Sequence, residues 1–114
     1  MYRATTPIHS FHFEENPQNY ERLLITYAQD KMIIMEKTKE DLTFETETDS
    51  EGNIDYIASF QLTQEEANRF TSVRSSIIQV QVRALDSSDN AYASDMATFS
   101  VKDVLDDRIL VAGT

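Results

Sequence analysis

The sequence contains no cysteine and no tryptophan, and only two of its 114 residues are glycine. Without cysteine the fold uses no disulfide, and cysteine-based zinc, haem and iron–sulfur sites are excluded. This composition is typical of a protein made in a reducing cytoplasm. The two glycines, Gly52 and Gly113, leave no glycine-rich loop that could hold a phosphate.

Long apolar runs are also missing. The longest, such as residues 32–35, span only a few positions, whereas a membrane-crossing helix needs about 20 apolar residues. Residues 1–6 do not lead into an apolar segment of the kind that secretory signal peptides carry. We therefore expect no membrane insertion and no signal peptide.

Basic residues are scarce, because 10 Lys and Arg stand against 20 Asp and Glu and give a net charge of −10. The imbalance is local: residues 40–66, the acidic block, hold nine acidic side chains and no basic one. Such a field repels nucleic acid and anionic membrane surfaces, so we expect neither as a partner. The acidic block is either a solvated face that keeps the protein soluble or a contact surface for a basic partner.

What the sequence does contain is a series of segments in which apolar and polar residues alternate with the period of half-buried β-strands. The clearest alternation lies in residues 54–62. The predicted strands are residues 7–13, 21–29, 31–37, 41–48, 54–62, 75–85 and 93–102. The side chains predicted to face inward include Phe11, Phe13, Phe44, Tyr56, Phe60, Val80, Val82 and Phe99.

Turn signals separate these segments. Asp30 lies between two β-prone runs and predicts a tight hairpin, although helix-favouring Leu, Met, Glu and Lys leave one helix over residues 20–36 as a competing interpretation. Residues 49–53 predict a turn in which Gly52 can take a positive φ. Residues 86–90, rich in Asp, Ser and Asn, predict another.

A helix signal follows the fifth predicted strand. Thr63 and Glu66 match the capping box that begins helices, so a short helix is predicted over residues 63–69. Residues 103–111 are predicted to form a final short strand or a helical turn, and Leu105, Ile109 and Val111 either close the core or reach a neighbouring subunit.

About seven short strands with turns between them are typical of an antiparallel sandwich. We therefore predict an all-β, immunoglobulin-like (fibronectin III-like) antiparallel β-sandwich with one short helix. The length suits a single domain. We assign residues 1–6 to a flexible N-terminal arm and residues 7–114 to the single β-sandwich domain.

No catalytic, cofactor-binding or metal-ligating residue is assigned. His9 and His12 lie three residues apart on a predicted strand and point to opposite faces, so they cannot bind one metal ion together. His9 is expected at the edge of the core and His12 at the surface. The acidic pairs 14–15, 65–66 and 106–107 are interpreted as surface charge, because acid–base catalysis needs two carboxyls in one cleft with separated pKa values. We expect no enzyme activity and no cofactor.

Two weaker binding hypotheses come from residue types. Residues 86–90 hold oxygen ligands suited to calcium but lack the rest of an EF-hand loop, and an Asx-type turn explains them equally well. Tyr2, Tyr20 and Tyr92 are candidates for exposed rings that could stack on a sugar, whereas Tyr56 falls on a core face.

Two resemblances to known proteins add to this interpretation. Residues 78–90, followed by Ser94 and Asp95, look like the last hairpin of fibronectin type III domains. Most of the chain also resembles small proteins encoded among the virion structural genes of tailed bacteriophages and prophages of Gram-positive bacteria. The matching segments are residues 6–13, 62–66 before Phe70, 78–83, 93–95 and 104–109. Asp89 and Asn90 depart from the glycine-containing turn that is usual there.

The second resemblance implies a virion structural protein of the head, connector, tail or baseplate, made in the host bacterial cytoplasm. We expect other virion proteins as partners, and the open strand edges allow further copies of this chain in the particle. The alternative is a β-sandwich module that binds carbohydrate or the host surface.

Overall fold

The computed structural model describes residues 1–71 and 77–112. Within these residues the regular elements are almost all strands, and one short helix, α1, follows the fifth of them. The elements are β1 (Ile8–Phe13), β2 (Arg22–Gln29), β3 (Met32–Thr38), β4 (Thr43–Thr48), β5 (Ile54–Gln61), α1 (Gln64–Ala67), β6 (Ile77–Leu85), β7 (Ala91–Ala93) and β8 (Ala97–Ser100). Short 3₁₀ turns at Pro17–Asn19 and Lys39–Asp41 precede β2 and β4.

The strands form two antiparallel sheets. The first has the order β1-β5-β4, and the second has the order β3-β2-β6-β7, with β8 also paired to β6. Side chains from the inner faces of both sheets meet in one core. The predicted all-β antiparallel sandwich with one short helix is confirmed.

The strand order can be compared with that of immunoglobulin sandwiches. Immunoglobulin sandwiches place strands A-B-E-D in one sheet and strands G-F-C, extended by C′, in the other. With β1 taken as strand B, β1-β5-β4 corresponds to B-E-D, and β3-β2-β6-β7 corresponds to C′-C-F-G. Among the residues that the structure describes, no strand occupies the position of strand A beside β1.

The core is centred on β2 and β6. Ile25, Tyr27 and Ile78 have no exposed surface, and they face Phe60 of the first sheet. Each residue of the predicted inward set lies on an inner face. Phe60 and Val80 are buried, whereas the others are half-buried: Phe11, Phe13, Phe44, Tyr56, Val82 and Phe99.

The hairpin predicted around Asp30 is confirmed, and the competing helix over residues 20–36 is wrong. Asp30 and Lys31 both have positive φ, 50° and 66°. This is the two-residue turn whose twist suits paired strands. Every second residue of β2 from Leu23 onward is buried, a period that only a strand produces.

The capping box is confirmed. Glu66 N donates to Thr63 Oγ1 (3.1 Å), and Thr63 N donates to the Glu66 carboxylate (3.0 Å). The helix is shorter than predicted and ends at Ala67. Glu66 is also paired with Lys37 of β3, so this cap ties α1 to the second sheet.

Two predictions for the C-terminal part are wrong. The predicted strand over residues 93–102 is interrupted: β7 ends at Ala93, and β8 spans only Ala97–Ser100. Between them Ser94 Oγ, in place of a backbone carbonyl, accepts from Val82 N. Ala97, expected inward, is exposed. Residues 103–111 form neither a strand nor a helix. The first two residues of the predicted strand 75–85 lie outside the described residues.

Residues 1–6, predicted to be a flexible arm, run beside the chain that follows β8. Tyr2 bridges Lys102 in parallel orientation, and the amino group of Met1 donates to Ser100 O at 2.8 Å. The expected mobility stays a prediction, but these contacts join the two ends of the described chain. No helix within residues 1–71 and 77–112 is long and apolar enough to span a membrane.

Candidate functional site

One side of the sandwich is open between β1 of the first sheet and β7 of the second. The opening is a groove of about 420 Å³ whose apolar floor consists of half-buried Phe11, Phe13, Val82 and Ala84. The alternation of β1 turns both Phe rings toward the second sheet. β7 has only three residues and leaves the groove uncovered.

The other half of this side of the sandwich is closed by β8. His9, on the inner face of β1, lies under Phe99 of β8, with ring centroids 5.3 Å apart. Phe11 and Phe13 lie further along β1, where β8 has no residue. The part of β6 that pairs with β8 is residues 77–80, before Val82. The groove therefore exists because the chain breaks between β7 and β8.

Two tyrosines stand at the mouth of the groove. The rings of Tyr20 and Tyr92 are 6.0 Å apart between centroids, and Tyr92 is 51% exposed. The Tyr92 hydroxyl donates to Asp86 at 3.2 Å, and this hydrogen bond raises the pKa of the Tyr92 hydroxyl. Both residues were sugar-stacking candidates, and the structure brings them together, while Tyr2 lies beside Lys102 at the C-terminal strand.

The carboxylate of Asp86 organises the turn at residues 86–90. It accepts from the backbone N–H groups of Ser88 and Asn90, each at 2.9 Å. These bonds, led by the backbone hydrogen bond from Asn90, lower the pKa of Asp86. The geometry is that of the Asx-type turn. No cluster of three or more His, Asp or Glu suited to a metal ion occurs in the described part of the chain.

The two histidines lie on opposite faces of β1, as predicted. His9 Nδ1 and the Tyr27 hydroxyl are 2.6 Å apart and share a hydrogen bond. Burial, followed by the charge of the N-terminal amino group, lowers the pKa of His9. Burial raises the pKa of the Tyr27 hydroxyl. His12 is at the surface, 2.7 Å from the Asp55 carboxylate.

Much of the acidic block has internal partners. Asp49 accepts from Glu51 N and Asn53 N at 2.9 Å each and closes the β4–β5 turn. Glu66 caps α1 and pairs with Lys37. Burial acts to raise the pKa of Glu66, but the hydrogen bonds from Lys37 and Thr63 outweigh it, and the net shift is downward.

The remaining charge of the block concentrates on the outer face of the first sheet. Glu47 of β4 lies directly opposite Asp55 of β5, and Glu45 occupies the same outer face two residues before. Like charges opposite each other destabilise a sheet. The Asp55 carboxylate lies 2.7 Å from His12 Nδ1 on the same face. The face can therefore attract a cation-rich surface, but its acidic side chains do not point into the groove.

The acidic pair at residues 106–107 is also tied to neighbours. Asp106 forms an ion pair with Arg108, and Asp107 lies 3.0 Å from the guanidinium of Arg3. These contacts hold the C-terminal segment, residues 104–112. Asn68 donates to Asp107 O, and the side-chain amide of Gln64 both donates to and accepts from the backbone of Leu110.

The C-terminal segment leaves its apolar side chains in solvent. Leu105 is fully exposed, and the exposed fractions of Leu110 and Val111 are 78% and 64%. Ile109 is 38% exposed. Leu105, Ile109 and Val111 thus do not close the core, which was one of the two expectations for them. Val101, which is 3% exposed, closes this end instead.

Sequence reasoning identified Phe11, Phe13, Val82 and the exposed tyrosines separately, but not the groove that they share. The missing information was the early end of β7, which depends on Ser94 bonding back to Val82 across 12 residues. In comparisons with known proteins, the chain matches no protein-family model and no curated protein sequence.

Proposed function

We propose that the protein is a structural component of a tailed-phage virion and acts by assembling with other virion proteins and with copies of itself, without catalysis. The observation that carries the assembly role is the C-terminal segment, because the apolar side chains of Leu105 and Leu110 are exposed to solvent. Exposed apolar side chains are a feature of contact sites. The phage setting rests on the sequence resemblance described above.

The open sheet edges support the same role. β1 and β4 end the first sheet, and β3 ends the second. An unpaired edge is a template for a strand from a neighbouring chain. We also propose that the sandwich is immunoglobulin-like, on the strength of the strand order B-E-D and C′-C-F-G.

Mass spectrometry of purified phage particles tests the assignment. The protein is expected in particles at a copy number fixed relative to the portal and capsid proteins, and the neighbouring genes should separate a head from a tail location. Absence from particles despite abundance in infected cells would overturn it. A turnover that is lost on changing a single carboxylate would overturn the non-catalytic part.

A second candidate function is binding of carbohydrate or another host-surface group. The pair Tyr20 and Tyr92 supports it, because two neighbouring rings at the mouth of a groove can stack on a sugar. A glycan array with the purified chain tests this function. Binding that disappears in Tyr92→Ala and persists in Tyr2→Ala, an equally exposed tyrosine elsewhere, would favour it over assembly alone.

A further inference from the structure

We infer that the groove between β1 and β7 binds an extended, basic segment of another virion protein, which adds as a strand to the free edge of β1 and places a cationic side chain against Tyr20 and Tyr92. This inference rests on the proposed assembly function and deepens it, because it names the surface and the chemistry of the partner. Strand addition supplies main-chain hydrogen bonds, while pockets for alternate side chains give specificity.

The free edge of β1 can be located residue by residue. Leu62 N donates to Pro7 O at 2.9 Å, directly before β1 begins its pairing with β5. In an antiparallel pair the residues that bond to the partner strand alternate. The odd-numbered residues of β1 therefore bond to β5, and the N–H and C=O groups of Ile8, Ser10 and His12 face the other way. β1 pairs only with β5 among the described residues, so these groups are open to an incoming strand.

The residues before β1 do not supply this strand. The open edge corresponds to the position of strand A in immunoglobulin sandwiches, beside strand B. Here the chain before β1 is held elsewhere: Tyr2 bridges Lys102, and the Arg3 side chain donates to the carbonyls of Asn68 and Phe70. No described strand therefore lies beside this edge of β1, next to the apolar floor of the groove.

The tyrosine pair favours a cation. A Lys or Arg group is attracted to the face of a tyrosine ring. Tyr2 already has the ammonium group of Lys102 at 5.5 Å from its ring centroid. Within the described residues no Lys or Arg takes this place at Tyr20 or Tyr92, whose rings are 6.0 Å apart and tilted by 56°. The pair can therefore receive a cationic side chain from a partner.

Charge at the mouth of the groove favours the same occupant. The Tyr92 hydroxyl donates to Asp86 at 3.2 Å, and this bond, with a smaller contribution from the charge of Glu15, raises its pKa. No Lys or Arg lines the groove, and neither Asp86 nor Glu15 forms an ion pair with a described residue. A basic segment complements this end of the groove, whereas a second copy, which also carries −10, is disfavoured.

Titration of the full ¹⁵N-labelled chain with a synthetic peptide tests the inference. The probe is acetyl-Arg-Ser-Val-Ser-Val-Ser-Arg-amide, whose Arg and Val side chains share one face of an extended strand. An Arg at each end serves either direction of binding. Low ionic strength keeps the charge attraction measurable. The amide signals that move should concentrate in residues 8–13, 82–85 and 91–94 and at Tyr20.

Two changes to the peptide separate its charge from its backbone. Replacing both Arg by Gln should weaken binding about tenfold, because the contact with the rings and the attraction of two carboxylates are lost together. Methylating the nitrogens of either the Ser or the Val residues removes the donors from one edge of the added strand, and one of these two peptides should fail to bind. Equal affinity of the Arg and Gln peptides, or binding of both methylated peptides, would overturn the inference.

Variants of the protein locate the site. Tyr92→Ala should weaken binding of the Arg peptide about tenfold, whereas Tyr92→Phe, which keeps the ring, and Tyr2→Ala should retain it. Glu15→Gln should also weaken binding, while Glu47→Gln, on the acidic outer face of the first sheet, should not. Equal losses in Glu15→Gln and Glu47→Gln would show attraction by the overall charge and would contradict this site.

The other occupants of the groove give different results. Concentration-dependent dimers that move the amide signals of β1 without peptide would assign the edge to a second copy. A glycan that moves these signals when the Arg peptide does not would assign the groove to a sugar. Either result overturns the inference.

The proposed function fails separately. Absence of peptide binding in a protein that is present in purified particles would overturn the groove assignment and leave the virion role standing. Peptide binding as expected by a protein that is absent from particles would overturn the virion role alone.

Discussion

At the scale of single residues, the surroundings of His9 are determined by a hydrogen-bond partner in the other sheet, Tyr27. Alternation along β1 correctly places His9 on the inner face. Its neighbour Tyr27 lies 18 residues away and belongs to the second sheet, so no local pattern could reveal the hydrogen bond between them. The pair lies among the rings of Phe60 and Phe99, which favours the neutral imidazole.

His9 should make the protein less stable in mild acid. Its pKa in the folded protein is below the ordinary 6.5, so the unfolded chain binds a proton at a pH where the folded protein does not. Stability therefore falls as the pH drops below about 6.5 and continues to fall until the folded pKa is reached. Urea unfolding at intervals between pH 7.5 and 5 measures this slope.

The slope should flatten in His9→Gln, which keeps a polar side chain near Tyr27 but has no titrating group. Ser10→Ala serves as the control, because Ser10 is exposed on the same strand and has no titrating group; this variant should retain the slope. A slope that is unchanged in His9→Gln would contradict the assignment. The carboxyls with lowered pKa, such as Glu66, lose their contribution only below about 4.5, outside this range.

At the scale of elements, the turn of the β2–β3 hairpin is formed by two residues that are not glycine. Asp30 and Lys31 both adopt the left-handed conformation. For a residue with a side chain this costs about 1–2 kcal/mol, and Asp tolerates it better than Lys does. The pairing of β2, the central strand of the core, with β3 compensates for the backbone strain at Lys31.

Replacing Lys31 with Gly should therefore stabilise the protein. The expected gain is about 0.5 kcal/mol, because relief of the left-handed strain exceeds the entropy that Gly loses on folding. Chemical denaturation measures the difference. Gly52→Ala is the reciprocal control: Gly52 has a φ of +87° and open space around a would-be Cβ, so this variant should lose about 1 kcal/mol from backbone strain alone. A destabilised Lys31→Gly would contradict the account.

The elements that the sequence predicts well are those specified by local signals. The alternation of β5 and the capping box of Thr63 and Glu66 each lie within a few residues, and both are confirmed. The break between β7 and β8 is different, since it depends on Ser94 meeting Val82. The regular structure predicted over residues 103–111 is wrong for a similar reason. The backbone of this segment bonds to the side chains of Gln64 and Asn68, more than 35 positions away, and such contacts produce no periodic pattern in the local sequence.

At the scale of the whole molecule, one side chain links three parts of the chain. The guanidinium of Arg3 donates to the backbone carbonyls of Asn68 and Phe70, which follow α1. It also forms ion pairs with Asp103 and Asp107 in the chain after β8. Arg3 is therefore the junction between the N-terminal residues, the chain after α1 and the C-terminal segment.

Replacing Arg3 with Ala should loosen all three parts at once. The Arg3 side chain is only 20% exposed. A hydrogen bond to a charged group contributes about 1.5–3 kcal/mol to stability, and removing Arg3 also leaves its partners without a donor. We expect a loss of about 2 kcal/mol and faster amide hydrogen exchange near residues 68–71 and 100–110.

Arg108→Ala is the matched control, because Arg108 is 85% exposed and pairs with Asp106, two residues away. It should change stability by less than about 0.5 kcal/mol. Faster exchange confined to the first few residues in Arg3→Ala would show that Arg3 anchors only the N-terminus, and the junction would then be wrong.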